Sequence, residues 1–117
     1  MSKSMEQNLS WSDFEKIEMR IGTIIAVNDF PEAQKPAFII TIDFGNEIGI
    51  KKSSAQITKR YKKESLIGKQ IVAVINFPKK QIGNFKSECL MLGSMGNDND
   101  IVLLTSDFKV KNGLQIG

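Results

Sequence analysis

Apolar and polar residues alternate along several short stretches of the chain, and a period of two predicts half-buried β-strands. Residues 38–44 are the clearest case, because their even-numbered positions are all apolar and would share one face. Residues 19–28 alternate in the same way around Gly22, which indicates a bulge or a sharp bend of the kind small barrels need. The predicted strands span residues 19–28, 38–44, 48–52, 70–76, 87–92 and 101–105.

Two short helical segments are predicted between these strands or before them. Ser10 and Asp13 are residue types typical of a helix start, so residues 10–16 predict a short N-terminal helical turn. Ser53 is followed three residues later by Gln56, which is the spacing of a capping box. This spacing predicts a second short helix that begins at Ser53 and runs through Tyr61.

The order of the predicted elements is three strands, a short helix, and then two or three more strands. This is the order of an all-β, five-stranded OB-fold, which is a Greek-key barrel with a short helix between strands 3 and 4. An SH3-like barrel is the main alternative, but it does not usually place a capped helix at that point. A chain of 117 residues is long enough for one core and too short for two.

The connection between the fourth and fifth predicted strands combines aromatic rings with cations. Lys79 and Lys80 lie between Phe77 and Phe85, and Pro78 stiffens the backbone beside them. A loop that carries such side chains on a rigid scaffold is typical of a binding site. The alternative is that the two rings plug the mouth of the barrel.

The charge of the chain is distributed unevenly. Its net charge is only +3, but residues 51–86 contain ten basic residues and one acidic residue, which gives +9. The remaining residues contain six basic and twelve acidic side chains, which gives −6. This asymmetry indicates a positive patch and an at least partly anionic partner, although a solvated lysine-rich surface is an equally good interpretation.

The residue types that most catalytic and metal sites depend on are nearly absent. The chain has no histidine and one cysteine, Cys89, which is expected to be a small buried hydrophobe. We find no phosphate loop, dinucleotide fingerprint or nucleophile elbow. A Ser-Lys dyad of Ser53 with Lys51 is the remaining catalytic alternative. We therefore expect a binding protein rather than an enzyme, with no catalytic residues, no metal and no cofactor.

Neither a membrane span nor a secretion signal is expected from the sequence. No stretch approaches the roughly 18 uninterrupted apolar residues that a membrane span needs. The first ten residues lack the hydrophobic core of a signal peptide. These features predict a cytoplasmic protein with no membrane insertion.

Several motifs resemble those of a known family. Residues 13–24, DFEKIEMRIGTI, resemble the opening of the tRNA-binding OB-fold domain, which is appended to some aminoacyl-tRNA synthetases and also occurs alone. More specifically, the strings SSAQITKRY (53–61), NFP (76–78) and FKSE (85–88) resemble those of the CsaA family of small, export-related, chaperone-like proteins. Ser87 matches the tRNA-binding pattern, whereas Cys89 and Leu90, two and three positions later, depart from it.

This resemblance implies an OB-fold domain over residues 13–117, preceded by an arm over residues 1–12. It also implies a homodimer, with Trp11 and Phe14 as the candidate dimer contacts. Such a dimer would bind unfolded or precursor polypeptides and assist their export, with the motor ATPase of the export machinery as a further partner. The alternatives are a stand-alone protein that binds tRNA or other RNA, with Tyr61 and Phe85 as stacking residues, and a scaffold domain without a client.

The loop, the basic segment and the resemblance together give one set of candidate polypeptide- or RNA-binding residues. They are Lys51, Ser53, Ser54, Gln56, Lys59, Arg60, Tyr61, Asn76, Phe77, Pro78, Lys79, Lys80, Phe85, Lys86 and Ser87.

Overall fold

The structure, a computed structural model, describes residues 8–117. Residues 1–7, which make up most of the expected N-terminal arm, lie outside the described residues. The first described element is helix α1 (Trp11–Glu15), and the Oγ of Ser10 accepts a hydrogen bond of 3.1 Å from the N–H of Asp13. This N-cap confirms the predicted helical turn.

Strands make up most of the regular secondary structure in the described residues, and five of them form one sheet. Their order in the sheet is β3-β2-β1-β4-β7, and every pair of neighbours is antiparallel. The elements after α1 are β1 (Met19–Asp29), β2 (Phe38–Asp43), β3 (Ile50–Ala55), α2 (Lys63–Leu66), β4 (Gln70–Val74), β5 (Lys80–Ile82), β6 (Phe85–Ser87), β7 (Leu90–Met91), β8 (Gly93–Met95), a 3-10 turn (Asn97–Asn99) and β9 (Ile101–Leu103).

The five-stranded sheet curls into a nearly closed barrel. Its edge strands, β3 and β7, approach each other where the N–H of Glu88 donates a hydrogen bond of 2.8 Å to the carbonyl oxygen of Lys52. Two small hairpins, β5–β6 and β8–β9, extend from the barrel. This architecture, with α2 between the third and fourth strands, confirms the predicted OB-fold.

The core of the barrel follows the alternation of β2. Phe38, Ile40 and Ile42 are all buried, and Phe44 continues the same face just beyond the strand. Gly22 on β1 lies directly against this face, because a Cβ at that position would come within 2.5 Å of Cγ2 of Ile42. A glycine is therefore required for the close packing of β1 over β2.

The inward face of β1 differs from the predicted one at Ile24 and Ile25. Alternation places Ile25 inside, but Ile25 is 43% exposed and its neighbour Ile24 is fully buried. The register of β1 against β2 shifts between Ile24 and Ala26, so one extra residue bulges out and the faces exchange. The bulge that the sequence indicated at Gly22 thus lies three residues later, at Ile25.

The predicted helix start at Ser53 is wrong. Ser53 and Ser54 belong to β3, where Ser53 is paired with Ile40 and its side chain is buried. The helix begins only at Lys63 and is four residues long. Pairing with β2 stabilises the extended backbone more than a local capping box stabilises a helix, and tertiary context commonly overrides local propensity in this way.

The C-terminal segment lies along the first half of β1. The N–H of Gly113 donates to the carbonyl oxygen of Ile21 at 2.7 Å, and the N–H of Ile21 donates to the carbonyl oxygen of Leu114 at 3.0 Å. This segment occupies the side of β1 that β2 leaves unpaired near Met19. No helix of the described chain is long and apolar enough to cross a membrane.

Candidate binding site

A groove with a volume of about 660 Å³ lies where the β1–β2 loop, the end of β3 and the β5–β6 hairpin meet. The corresponding loops and strand face form the ligand-binding side of OB-folds. The groove is lined by Glu32, Ala33, Gln34, Lys35, Ala37, Ser54, Gln56, Lys80, Gln81, Ile82, Gly83, Ser87, Cys89 and Leu90. Four of these, Ser54, Gln56, Lys80 and Ser87, are residues that the sequence predicted.

The predicted loop after β4 contains an ordered hairpin. Strands β5 and β6 pair with Lys80 opposite Ser87, and the chain reverses at Gly83, which has a φ of +59°. Glycine adopts this left-handed conformation without strain, so the tight turn depends on it. The hairpin presents Lys80 to the groove on a fixed backbone rather than on a flexible loop.

The two rings of the hairpin region have different roles. The ring of Phe85 packs edge-to-face against buried Phe30, with the ring centroids 5.5 Å apart, and so attaches the hairpin to the β1–β2 loop. Phe77, by contrast, is 54% exposed. Phe85 therefore has a structural contact beside its candidate binding role, whereas the exposed ring of Phe77 does not pack into the barrel.

Three other candidate residues make structural contacts outside the groove. The hydroxyl of Tyr61 accepts a hydrogen bond of 3.0 Å from the N–H of Leu103, and its ring packs against the core. The side-chain amide of Asn76 donates to the carbonyl oxygen of Lys16 at 2.7 Å and accepts from the N–H of Glu18 at 3.1 Å. The Oγ of buried Ser53 donates to the carbonyl oxygen of Ser54. None of these side chains lines the groove.

Three of the ten basic residues in segment 51–86 form ion pairs with described residues. Arg60 donates two hydrogen bonds to the carboxylate of Asp100, at 2.8 and 2.9 Å. This interaction holds the pKa of Asp100 below its usual value and raises the pKa of Arg60. The other two pairs are Lys63 with Asp29 at 3.0 Å and Lys79 with Glu88 at 3.5 Å.

The other seven basic residues of this segment form no ion pair with described residues: Lys51, Lys52, Lys59, Lys62, Lys69, Lys80 and Lys86. Of these seven, only Lys80 lines the groove, and Lys35 of the β1–β2 loop joins it there. The basic segment is thus spread over the barrel surface, with part of it at the groove. The groove lining also leaves out four further candidate residues: Pro78, Lys51, Lys59 and Lys86.

Sequence reasoning missed the contribution of the β1–β2 loop and of β7. Glu32 and Lys35 lie in a loop with two prolines, and Leu90 begins β7 with a side chain that is 48% exposed. An exposed leucine in an apolar strand gives no sequence signal, because alternation alone cannot say which residues of a short edge strand face outward. The two prolines were the available signal for a rigid, ligand-facing loop.

Cys89 forms part of the groove wall but is buried, as expected. Burial raises the pKa of its thiol to about 12, with a smaller contribution from the nearby charge of Glu88. The thiol is therefore protonated at neutral pH and is a poor nucleophile.

Comparison with known proteins places these features in a family. The family model described as a putative tRNA-binding domain matches residues 19–115. A crystal structure of the chaperone CsaA from Bacillus anthracis is 49% identical, covers 94% of this chain and 99% of its own, and superposes with a TM-score of 0.89. The structure of a CsaA chaperone protein from Picrophilus torridus is 51% identical, with 94% and 100% coverage and a TM-score of 0.88.

Curated relatives include much longer proteins. A methionine–tRNA ligase of Pyrococcus horikoshii is 33% identical over 114 residues, which is 97% of this chain but 15% of the ligase. The chain thus spans about 15% of the length of this relative, and the match covers one small domain of it.

Proposed function

The chain belongs to the tRNA-binding domain family, and we propose that it binds unfolded or precursor polypeptides as a chaperone-like homodimer that assists protein export. In this proposal it is not an enzyme and needs no cofactor, and its arm (1–12) precedes one OB-fold domain (13–117). The identity of about half of its residues with two CsaA chaperones supports this choice within the family.

The observation that carries the proposal is the mixed chemistry of the groove. Ala33, Ala37, Ile82 and Leu90 supply apolar surface, while Lys35 and Lys80 supply positive charge at the same site. Apolar contact combined with a few fixed polar groups is the usual composition of a binding site for a flexible organic ligand. An unfolded polypeptide offers both apolar side chains and acidic groups to such a surface.

The candidate stacking rings already contact other residues, which argues against the binding of single-stranded RNA at this site. OB-folds that bind single strands stack bases on free aromatic side chains. The two stacking candidates, Tyr61 and Phe85, are engaged with Leu103 and with Phe30. Phe77 is the remaining exposed ring of this region, and one ring provides little of a stacking platform.

Binding of tRNA through its phosphates is the second candidate function. It is favoured by the family match and by the seven basic residues of segment 51–86 that form no ion pair with residues 8–117. Phosphate contacts need cations on a surface and do not need a groove or free rings. This mode would use a surface wider than the groove.

The homodimer, the export partner and the cytoplasmic location are parts of the same proposal. Trp11 is 86% exposed at the start of α1, whereas Phe14 is half-buried. A large exposed ring next to a short helix suits a subunit contact better than contact with water. A monomer mass in light scattering at micromolar concentration would contradict the dimer. The export motor ATPase remains a proposed partner.

A matched pair of substitutions tests the proposed site. Leu90→Asp places a charge on the apolar rim of the groove, and Val102→Asp does the same at an exposed strand position outside it. We expect Leu90→Asp to weaken the binding of a labelled, reduced and unfolded polypeptide by about tenfold or more, whereas Val102→Asp stays close to the unsubstituted protein. Equal binding of the two variants would show that the site lies outside the groove. Strong tRNA binding without polypeptide binding would overturn the proposal.

A further inference from the structure

The barrel has an opening beside the point where its edge strands meet. Strands β3 and β7 run in the same direction, because four successive antiparallel pairings separate them. Lys52 and Glu88 connect the two edges, but the residues that follow Lys52 do not pair with the residues that follow Glu88. Ser54–Gln56 and residues 90–92 instead face an opening of about 370 Å³.

The edge of β3 presents an unused hydrogen-bond donor at this opening. The N–H and the carbonyl oxygen of Lys52 both point away from β2 and bond with Glu88. Ser54 lies two residues further along β3, so its backbone groups point to the same edge. Within residues 8–117, the N–H of Ser54 has no hydrogen-bond acceptor.

The edge of β7 presents a second unused pair of backbone groups. The N–H of Leu92 donates to the carbonyl oxygen of Val72 at 2.9 Å, so the neighbouring Met91 turns its N–H and carbonyl oxygen away from β4. Neither group is bonded within the described part of the chain. Unpaired strand edges of this kind are templates for an added strand, since only another extended backbone offers donors and acceptors at the matching spacing.

The side chains around the opening are almost entirely apolar. Leu90 and Met95 lie exposed at its rim, and Ile57, Ile101 and Leu103 form its deeper wall. A methionine can adjust its shape to many apolar partners, which suits a site for varied sequences. Among residues 8–117, no lysine or arginine lines the opening, so these residues offer no cation to a phosphate there.

We propose that an extended apolar segment of a polypeptide adds as a strand to the free edge of β3 in this opening. Its backbone bonds to Ser54, and its side chains pack against Leu90 and Met95. The opening shares Ser54, Gln56 and Leu90 with the lysine-lined groove, so one extended chain can occupy both. The inference rests on the proposed function and specifies that clients are held by backbone pairing, which accepts many sequences.

Ser54 allows a direct test with a matched control. Ser54→Pro removes the free N–H, and it breaks no bond of the β2–β3 ladder because this N–H points away from β2. Ser54→Ala removes the hydroxyl and keeps the N–H. We expect Ser54→Pro to bind a short, labelled, unfolded peptide rich in leucine and valine about tenfold more weakly than Ser54→Ala does, because only the proline variant loses the N–H.

A second measurement uses the protein without substitutions and so does not depend on how Ser54→Pro folds. In a second version of the same peptide, every other backbone nitrogen is methylated. This version keeps every side chain but loses half of its backbone hydrogen-bond donors. We expect it to bind at least about tenfold more weakly. Equal binding of both peptides, or of the Pro and Ala variants, would overturn strand addition.

The outcomes also separate this inference from the proposed function. If unfolded peptides bind with equal affinity with or without methylation, and Leu90→Asp still weakens them, the polypeptide site stands and strand addition fails. If no unfolded peptide binds while tRNA does, both proposals fail together.

Discussion

Lys52 and Glu88 close the barrel through a reciprocal pair of hydrogen bonds. The backbone N–H of Glu88 donates to the carbonyl oxygen of Lys52 at 2.8 Å, and the N–H of Lys52 donates to Oε1 of Glu88 at 3.0 Å. The second carboxylate oxygen of Glu88 lies 3.5 Å from Nζ of Lys79. One side chain thus connects the β3 edge to the segment that carries the proposed groove.

Glu88→Ala should weaken this closure, because the N–H of Lys52 loses its acceptor while the backbone bond from Glu88 to Lys52 remains. We expect the free energy of unfolding to fall by about 1–3 kcal/mol, since the hydrogen bond involves a carboxylate. Glu88→Gln keeps an acceptor oxygen but not the charge, so it should recover most of that loss. Urea denaturation of the three proteins measures the difference. Equal stability of the Ala and Gln variants would show that the contact with Lys52 contributes little.

Asn76→Ala should lower stability without affecting ligand binding. Its amide bridges Lys16 and Glu18 outside the groove, and the loss of these exposed hydrogen bonds should cost about 1 kcal/mol. Asn8→Ala, at an exposed position without a described side-chain hydrogen bond, is the control and should leave stability unchanged. Thermal denaturation and polypeptide titration would be run on both variants. A loss of affinity with unchanged stability would instead show that Asn76 is a binding residue.

Lys79 and Lys80 should behave differently although they are adjacent. Lys80 lines the groove without a described ion pair, whereas Lys79 is paired with Glu88. We expect Lys80→Ala to weaken the binding of an acidic unfolded polypeptide by about two- to fivefold, as one exposed charge contributes up to about 1 kcal/mol. Lys79→Ala should have a smaller effect. The reverse order, measured by fluorescence anisotropy, would argue against the groove.

Cys89 should react slowly in the folded protein. Burial raises the pKa of its thiol to about 12, and only the thiolate reacts with disulfide reagents. Labelling at pH 8 should therefore require unfolding, and it should speed up sharply in denaturant. Fast labelling of the native protein at pH 8 would contradict the burial of this side chain.

The same pKa shift predicts a pH dependence of stability. A thiol whose folded pKa is raised stabilises the fold fully below the unfolded pKa of about 8.5 and loses this contribution as the pH rises toward about 12. The stability of the unsubstituted protein relative to Cys89→Ala should therefore decrease over this range. The two proteins share their lysines and their tyrosine, so the titration of those groups cancels in the difference between their stabilities.

The sequence predicted the elements whose signals are local. Alternation located β2 and its buried face, and the residues around Ser10 located α1. The helix at Ser53 was wrong because its capping signal is local, whereas the pairing of Ser53 with Ile40 is a contact between distant residues. Sequence alternation likewise cannot detect the bulge that exchanges Ile24 and Ile25.

The candidate site was predicted less completely than the fold, for a related reason. The sequence identified Lys80 and the loop that contains it from their own composition, but not the hairpin within that loop or the contribution of Lys35 and Leu90. Those residues join the groove only because the fold brings the β1–β2 loop and β7 next to the β5–β6 hairpin. The roles of Tyr61 and Phe85 depend in the same way on Leu103 and Phe30, which are distant in sequence.

The central claim is that the groove and its adjoining opening bind unfolded polypeptide through mainly apolar contacts, and the salt dependence of binding tests it most directly. A labelled unfolded polypeptide and a labelled tRNA would be titrated at about 50 and about 200 mM salt. Each neutralised phosphate contributes roughly −0.7 to −0.9 to the slope of log affinity against log salt. We expect the polypeptide to bind at both concentrations with less than about a threefold change, and tRNA to lose most of its affinity. Salt-sensitive tRNA binding with no measurable polypeptide binding would contradict the claim.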